Sequence, residues 1–130
     1  MEKKRFGKGE LILQEGTKGN EMYVIISGKV KVFKTIDNKR IELAQMGPDD
    51  FFGEMSLFLQ KPRSASIEAV TNCEILIHDQ KSFVQVIQED PDFALQVIKT
   101  MAGRLLDAHN VISKIEGEKK SLEIMYGKKD

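Results

Sequence analysis

The sequence is poor in the residues that build redox and metal sites. Its 130 residues include one cysteine, two histidines and no tryptophan. Cys73 cannot form an intramolecular disulfide, and a single cysteine cannot supply a cysteine-rich zinc site. His78 falls in a predicted strand and His109 in a predicted helix, so we expect no metal site. The lone cysteine favours a reducing compartment, the cytoplasm.

The sequence also lacks an excess of charge of one sign and any long apolar run. Lys plus Arg number 20 and Asp plus Glu number 20, which gives a formal net charge of +0. Bulk attraction to nucleic acid is therefore not expected. The most apolar stretch, Tyr23 to Ile26, is far too short to cross a membrane. The basic start Lys3-Lys4-Arg5 precedes no apolar segment, so we expect a solvated segment and neither a signal peptide nor a membrane partner.

The pattern of apolar residues divides a single domain into two parts. From Leu11 to about Asp79, short apolar runs separated by glycine, asparagine and aspartate predict many short strands. Asp37 and Asn38 are suited to a tight hairpin turn. We therefore predict a mainly β fold with flanking helices. Its core is an antiparallel β-roll of double-stranded jelly-roll type, about residues 6–79, followed by a short helix and a long C-terminal helix.

The helical part follows Asp79. Asp90 is a suitable cap for the second helix, and Pro91 fits its first turn. We place the helices at about residues 80–115, which completes a domain of residues 1–115. The remainder, 116–130, is expected to be a helix end and a partly frayed tail.

The long helix carries an apolar row at heptad spacing. Its members are Met101, Leu105, Ala108, Ile112 and Ile115. Such a row is typical of a helix that pairs with another helix. We expect a homodimer with parallel helices that meet along this row. The alternative is that the helix folds back on its own strands and covers the row within one chain.

One segment between the strands places a carboxylate and a guanidinium among apolar residues. Arg63 can grip a phosphate through two parallel hydrogen bonds, and Ser64 adds a hydroxyl donor beside it. Glu54 accepts hydrogen bonds when ionised, which suits sugar hydroxyls, and Gly53 permits a close backbone approach. One helical turn beginning at Glu54 would offer N–H groups to an anion. These residues suit a ligand with one phosphate and one sugar, and a structural Glu54–Arg63 ion pair is the alternative.

This segment resembles the phosphate-binding cassette of the cyclic-nucleotide-binding domain family, in particular catabolite activator protein-like effector domains. The matching residues are Phe52-Gly53-Glu54-Met55-Ser56-Leu57 and Pro62-Arg63-Ser64-Ala65. A second matching block is Glu15-Gly16 in a turn, followed by Met22 to Val30. The resemblance extends over residues 6–115 in order. It implies a regulatory module that binds a cyclic nucleotide and transmits binding through its C-terminal helix.

The resemblance also implies a role for each cassette residue. Arg63 would pair with the cyclic phosphate, and Glu54 would accept a hydrogen bond from the ribose 2′-hydroxyl. The neighbours of Glu54 would line the sugar side, and the two residues after Arg63 would meet the phosphate oxygens. The ligand-binding candidates in the cassette are Gly53, Glu54, Met55, Ser56, Arg63, Ser64 and Ala65.

The long helix matches the family less closely. Arg104 stands where some bacterial members hold an arginine that braces the pocket glutamate, and a solvated arginine is the alternative. Catabolite-activator-like proteins present hydroxyl side chains to the adenine, but the matching stretch Asp107 to Asn110 has none. Ala108 and His109 are the base-contacting candidates. Cyclic AMP is the favoured ligand, cyclic GMP the alternative, and no cofactor is expected.

A ligand-gated regulatory module is the function favoured by these residues. We expect no enzyme, because neither Cys73 nor a serine is spaced beside a histidine as a nucleophile–base pair. One alternative is a ligand-free structural or dimerisation module of the same fold. Another is a fragment of a larger transcription regulator. The chain ends near where a helix-turn-helix would begin, so we expect no DNA-binding domain in it.

Overall fold

The computed structural model describes the backbone of residues 1–126 and the side chains of residues 1–117. The tail that we expected to fray, residues 127–130, lies outside the described residues. The helices are α1 (Glu54–Leu59), α2 (Gln80–Glu89) and α3 (Pro91–Tyr126). The strands are β1 (Glu2–Phe6), β2 (Leu11–Leu13), β3 (Met22–Ser27), β4 (Val30–Ile36), β5 (Lys39–Met46), β6 (Phe51–Phe52), β7 (Ser66–Ala69) and β8 (Cys73–His78).

The strands form two four-stranded antiparallel sheets. One sheet has the order β1-β8-β3-β6 and the other has the order β2-β7-β4-β5. Apolar side chains of both sheets form a common core because alternate residues of each strand point to the same face. The core residues are Phe6, Leu13, Tyr23, Ile25, Val30, Phe52, Ile67, Ala69, Cys73, Ile75 and Ile77. The predicted fold class, an antiparallel β-roll followed by a short and a long helix, is confirmed.

The hairpin between β4 and β5 has the turn that the sequence predicts. Asp37 and Asn38 have φ values of 52° and 63°, in the left-handed region. Two successive residues of positive φ give the turn a twist that matches that of the paired strands. The arms pair from Ile36 with Lys39 to Val30 with Met46.

The first strand is a feature that the sequence pattern did not reveal. The basic start, expected to be a solvated segment, forms β1 and pairs with β8 from Glu2 opposite Ile77 to Phe6 opposite Cys73. Only Phe6 of this strand is buried. Strands pair through backbone groups. A charged, exposed sequence without alternating apolar residues can therefore form the edge strand of a sheet.

An aspartate caps each of the two C-terminal helices, and the cap at Asp90 was predicted. The Ser82 N–H donates to Asp79 Oδ1 at 2.8 Å, at the start of α2. The Phe93 N–H donates to Asp90 Oδ1 at 3.3 Å, and Pro91 is the first residue of α3. None of the helices within residues 1–126 combines the length and the apolar character needed to cross a membrane.

The chain divides into two compact units, residues 1–85 and the remainder from Val86. The first unit contains both sheets, α1 and the start of α2, and the second is built on α3. On α3, the exposed fractions of Leu105, Ile112 and Ile115 are 73%, 55% and 59%. Met101 is half-buried and Ala108 is exposed. Pairing of two chains along this row stays a prediction.

Candidate functional site

Gly53 joins β6 to α1 in a conformation that favours glycine. Its φ is 84°, in the left-handed region. A Cβ at this position would lie 2.8 Å from the Glu21 carbonyl oxygen and 3.0 Å from Arg63 Nη1. Both the backbone angle and the close neighbours therefore require a residue without a side chain. The Gly53 carbonyl oxygen accepts the Leu57 N–H at 3.2 Å, which begins α1.

Arg63 is the buried cation of this region, with 5% of the residue exposed. Its Nη1 donates to the carbonyl oxygen of Glu21 at 2.9 Å and to that of Gly53 at 3.4 Å. These acceptors are neutral, so the two bonds satisfy N–H groups without neutralising the charge. A guanidinium held in this way is suited to an anionic partner, because a desolvated charge is costly unless it is paired.

Aromatic rings lie beside the guanidinium. The Tyr23 ring centroid is 5.6 Å from Arg63 Cζ. Tyr23 in turn stacks on Phe52 with a centroid distance of 5.1 Å and an interplanar angle of 3°. Burial raises the pKa of the Tyr23 hydroxyl and the Glu21 carboxylate raises it further, while Arg63 partly offsets both. The phenol is therefore neutral at physiological pH and contributes a ring face rather than a charge.

The serine of α1 shapes the loop that carries Arg63. Ser56 is 2% exposed, and its hydroxyl donates to the Lys61 carbonyl oxygen at 2.8 Å. The Gln60 N–H donates to the Ser56 carbonyl oxygen at 3.1 Å, and Gln60 has a φ of 56°. Together these bonds end α1 and reverse the chain towards Arg63. The Ser56 hydroxyl is thus engaged within the protein.

The remaining candidates of the cassette border this loop. Met55 and Ser64 are exposed, and Glu54 and Ala65 are half-buried. The structure therefore brings Gly53 and Arg63 into contact, with exposed or half-buried residues beside them. The candidates Arg104, Ala108 and His109 lie on α3, in the second unit, where Arg104 is half-buried and the other two are exposed. Their part in ligand binding stays a prediction.

Three contacts of Arg63 were not found from the sequence. They involve the Glu21 carbonyl, the Tyr23 ring and Gly19, whose Cβ, if it had one, would fall against the guanidinium. Gly19 could have been noticed from the sequence, because it is a second glycine in the turn segment that already contains Gly16. No local pattern connects any of these residues to Arg63, because more than 35 residues of chain separate them.

The other chemistry-bearing residues do not form a site. Cys73 is buried, and burial raises the pKa of its thiol. The Sγ donates to the Lys29 carbonyl oxygen at 3.3 Å. His78 is buried against Ser82. Both side chains are buried. Within the part of the chain that the structure describes, no group of three or more His, Cys, Asp or Glu residues could hold a metal ion.

The two-sheet roll and the loop that buries an arginine beside α1 define a class of ligand-binding regulatory modules. The chain belongs to the family of cyclic nucleotide-binding domains, whose family model matches residues 3–90. The resemblance noted from the cassette is thereby confirmed.

Individual relatives agree with the family. The chain is 34% identical over 106 residues to a CRP-like cAMP-activated global transcriptional regulator of Mycobacterium tuberculosis, covering 81% of this chain and 47% of the relative. It is 40% identical over 85 residues to a cGMP-dependent protein kinase of Plasmodium berghei, covering 65% of this chain and 10% of the kinase. The crystal structure of the Thermus thermophilus catabolite activator protein matches with a TM-score of 0.79 and 31% identity, over 88% of this chain and 55% of that one. The chain thus spans about half the length of its bacterial relatives.

Proposed function

We propose that the first unit binds a cyclic nucleotide monophosphate, with cyclic AMP favoured over cyclic GMP. One observation carries the proposal. Arg63 is 5% exposed as a residue, and the hydrogen bonds of its guanidinium go to neutral carbonyls, in the segment that resembles the family's phosphate-binding cassette. A cyclic phosphate supplies the anionic charge that this guanidinium is suited to pair with.

The roles of the cassette follow from the chemistry of its groups. Arg63 anchors the phosphate, and the Ser64 hydroxyl and the Ala65 N–H donate hydrogen bonds to its oxygens. Glu54, half-buried at the first residue of α1, accepts a hydrogen bond from the ribose 2′-hydroxyl. Gly53 and Met55 line the sugar through their backbone groups. Ser56, whose hydroxyl bonds to Lys61, contributes to the loop that presents these residues.

Base recognition is assigned to α3. We propose that Arg104 braces Glu54 and that Ala108 and His109 lie next to the base. Cyclic AMP is favoured because the bacterial relatives, which cover most of this chain, carry cyclic AMP in their names. The kinase relative, named for cyclic GMP, covers a smaller share of the chain. Cyclic GMP therefore remains the alternative ligand.

Ligand binding is transmitted through α3, and the module has no catalytic activity of its own. A ligand can drive a conformational change only through different affinities for two states. The helix supplies an element whose position can differ between such states. We propose that its exposed apolar row pairs two chains, and that the cell's reducing cytoplasm is the location.

Two alternatives are favoured by specific observations. The exposed row on α3 favours a module that dimerises without ligand. The bacterial relatives are longer than this chain, which matches 47% and 55% of two of them, and this favours a piece of a larger transcription regulator. The first alternative predicts no nucleotide binding, and the second is compatible with it.

Calorimetric titration separates these proposals. The protein is titrated with cyclic AMP, with cyclic GMP and with linear 5′-AMP as the control. We expect saturable binding of cyclic AMP, weaker binding of cyclic GMP, and little heat from 5′-AMP. Tighter binding of cyclic GMP would reverse the ligand assignment. Absence of heat from both cyclic nucleotides would contradict the proposed function and favour the ligand-free module.

A further inference from the structure

The guanidinium of Arg63 has two sides with different neighbours. On the Nη1 side, the carbonyl oxygens of Glu21 and Gly53 accept its hydrogen bonds at 2.9 and 3.4 Å. A Cβ at Gly53 would also fall on this side, 3.0 Å from Nη1. The Nη1 group is therefore occupied by the protein. The opposite edge, formed by Nε and Nη2, is the one left to present two parallel donors to an anion.

Gly19 lies against that second edge. A Cβ built on Gly19 would have Nη2, Cζ and Nε of Arg63 as its three nearest neighbours, with Cζ at 2.7 Å and Nε at 2.8 Å. These distances are far shorter than the contact distance between a carbon atom and any of these atoms. No positive φ requires glycine at this position, in contrast to Gly53 and Gly16. The absence of a side chain at residue 19 is thus explained by Arg63 and not by the backbone.

The loop that carries Gly19 cannot easily move away from Arg63. The Arg63 N–H donates to the Thr17 carbonyl oxygen at 2.9 Å, and the Gly16 N–H donates to the Arg63 carbonyl oxygen at 2.8 Å. These bonds tie the backbones of the two segments together. A side chain at residue 19 would therefore displace the guanidinium instead of the loop.

We propose that Gly19 is a positioning residue for ligand binding, which keeps the Nε–Nη2 edge of Arg63 open to the phosphate of a cyclic nucleotide. The proposal rests on the proposed function, since it assigns the edge that the phosphate uses. Gly19 acts through Arg63 and does not need to touch the ligand itself.

The test measures the affinity for cyclic AMP by calorimetry in Gly19→Val. We expect a loss of about 10- to 100-fold, the range for one hydrogen bond to a charged group. Gly47→Val is the matched control, because no atom lies within 4 Å of a Cβ at Gly47 and its φ is not positive. We expect the control to bind like wild type. If Gly19→Val does not fold by circular dichroism, Gly19→Ala is used, with a smaller loss of about 3- to 10-fold, a fraction of one such bond.

The same substitution made in an Arg63→Lys variant separates an effect through Arg63 from a general effect on the loop. Arg63→Lys keeps a positive charge but has no Nε–Nη2 edge. Adding Gly19→Val to Arg63→Lys is expected to change the affinity by less than about threefold, because coupled residues are not additive. An equal loss in both backgrounds would overturn the role of Gly19. So would wild-type affinity in Gly19→Val. Wild-type protein that binds neither cyclic nucleotide would instead contradict the proposed function itself, and the inference with it.

Discussion

Arg63 and Leu105 are opposite departures from the usual distribution of side chains. Arg63, on the β-roll, is 5% exposed, and Leu105, on α3, is 73% exposed. Buried charges and contiguous exposed apolar residues are the two observations that normally call for an explanation. In the first unit a charged group is drawn inside by backbone carbonyls. In the second unit apolar groups are displayed along a helix. The difference places the proposed phosphate anchor in the first unit and the proposed pairing row in the second.

Removing the buried charge is the change with the largest expected effect. Arg63→Ala takes away the proposed phosphate anchor, which is expected to cost about 3–5 kcal/mol, at least 100-fold in affinity. It also removes the Arg63 donor from the Glu21 carbonyl and one of the two donors to the Gly53 carbonyl, so thermal unfolding is measured with the calorimetric titration. Arg40→Ala is the control, because that guanidinium lies 3.9 Å from the Phe33 ring, away from the cassette. Equal affinity of Arg63→Ala and wild type would remove the anchor role.

Placing a charge in the exposed apolar row of α3 tests the role proposed for the second unit. Ile112→Glu would bring two carboxylates together in the proposed homodimer, which is expected to weaken association by about 30-fold or more. Asn110→Glu adds the same charge off the row and is the matched control. Sedimentation of each protein at tens of micromolar, roughly the range of weak helix pairing, with and without cyclic AMP, measures the effect. A wild-type protein that is monomeric in both conditions would contradict the homodimer and favour a folded-back helix.

The ribose contact gives a smaller effect within the first unit. If Glu54 accepts the 2′-hydroxyl, 2′-deoxy cyclic AMP removes one hydrogen bond to a half-buried carboxylate, which is expected to cost about 1–3 kcal/mol. The comparison of cyclic AMP with its 2′-deoxy form is made on wild type and on Glu54→Ala. The variant is expected to bind both forms alike. Equal affinities on wild-type protein would take Glu54 out of the ribose role and leave the phosphate anchor untouched.

Local patterns predicted the elements whose structure is decided locally. Asp37-Asn38 gave the hairpin turn and Asp90-Pro91 the start of α3, because turn and cap chemistry involves residues a few positions apart. The cassette was recognised from its sequence because its matching residues lie within two short stretches, 52–57 and 62–65. β1 was missed, since Glu2–Phe6 has no alternation and its strand character depends on pairing with β8.

Contacts between distant segments were beyond such patterns. The bond from Arg63 to the Glu21 carbonyl spans 42 residues. The close approach of Gly19 to the guanidinium depends on how β2, β3 and the loop after α1 meet in the folded roll. The sequence therefore indicated Arg63 as the candidate phosphate anchor, but not which edge of its guanidinium the protein's own carbonyls already use.

A second buried ionisable group of the roll provides the smallest predicted effect. His78 is 2% exposed, and its Nδ1 lies 3.2 Å from the Ser82 hydroxyl. Burial lowers its pKa, the N-terminal amine lowers it further, and Asp79 partly opposes both. In contrast to Arg63, this group is expected to be neutral in the folded state. Protonation then favours the unfolded chain, whose histidine titrates near 6.5.

The sign of the pH dependence follows from this shift. Because the folded-state pKa lies below the unfolded value, the stabilisation is complete above about pH 6.5 and declines as the pH falls, by at most about 1.4 kcal/mol per pH unit. Lys31 and Lys3 lower the pKa values of Glu68 and Glu74. These two carboxylates therefore change the stability only below about pH 4.5. Urea unfolding at pH 7.5 and 5.5 (about one pH unit to either side of that midpoint) therefore isolates the histidine. Wild type is expected to lose more stability between these values than His78→Leu, and equal losses would show that another group is responsible.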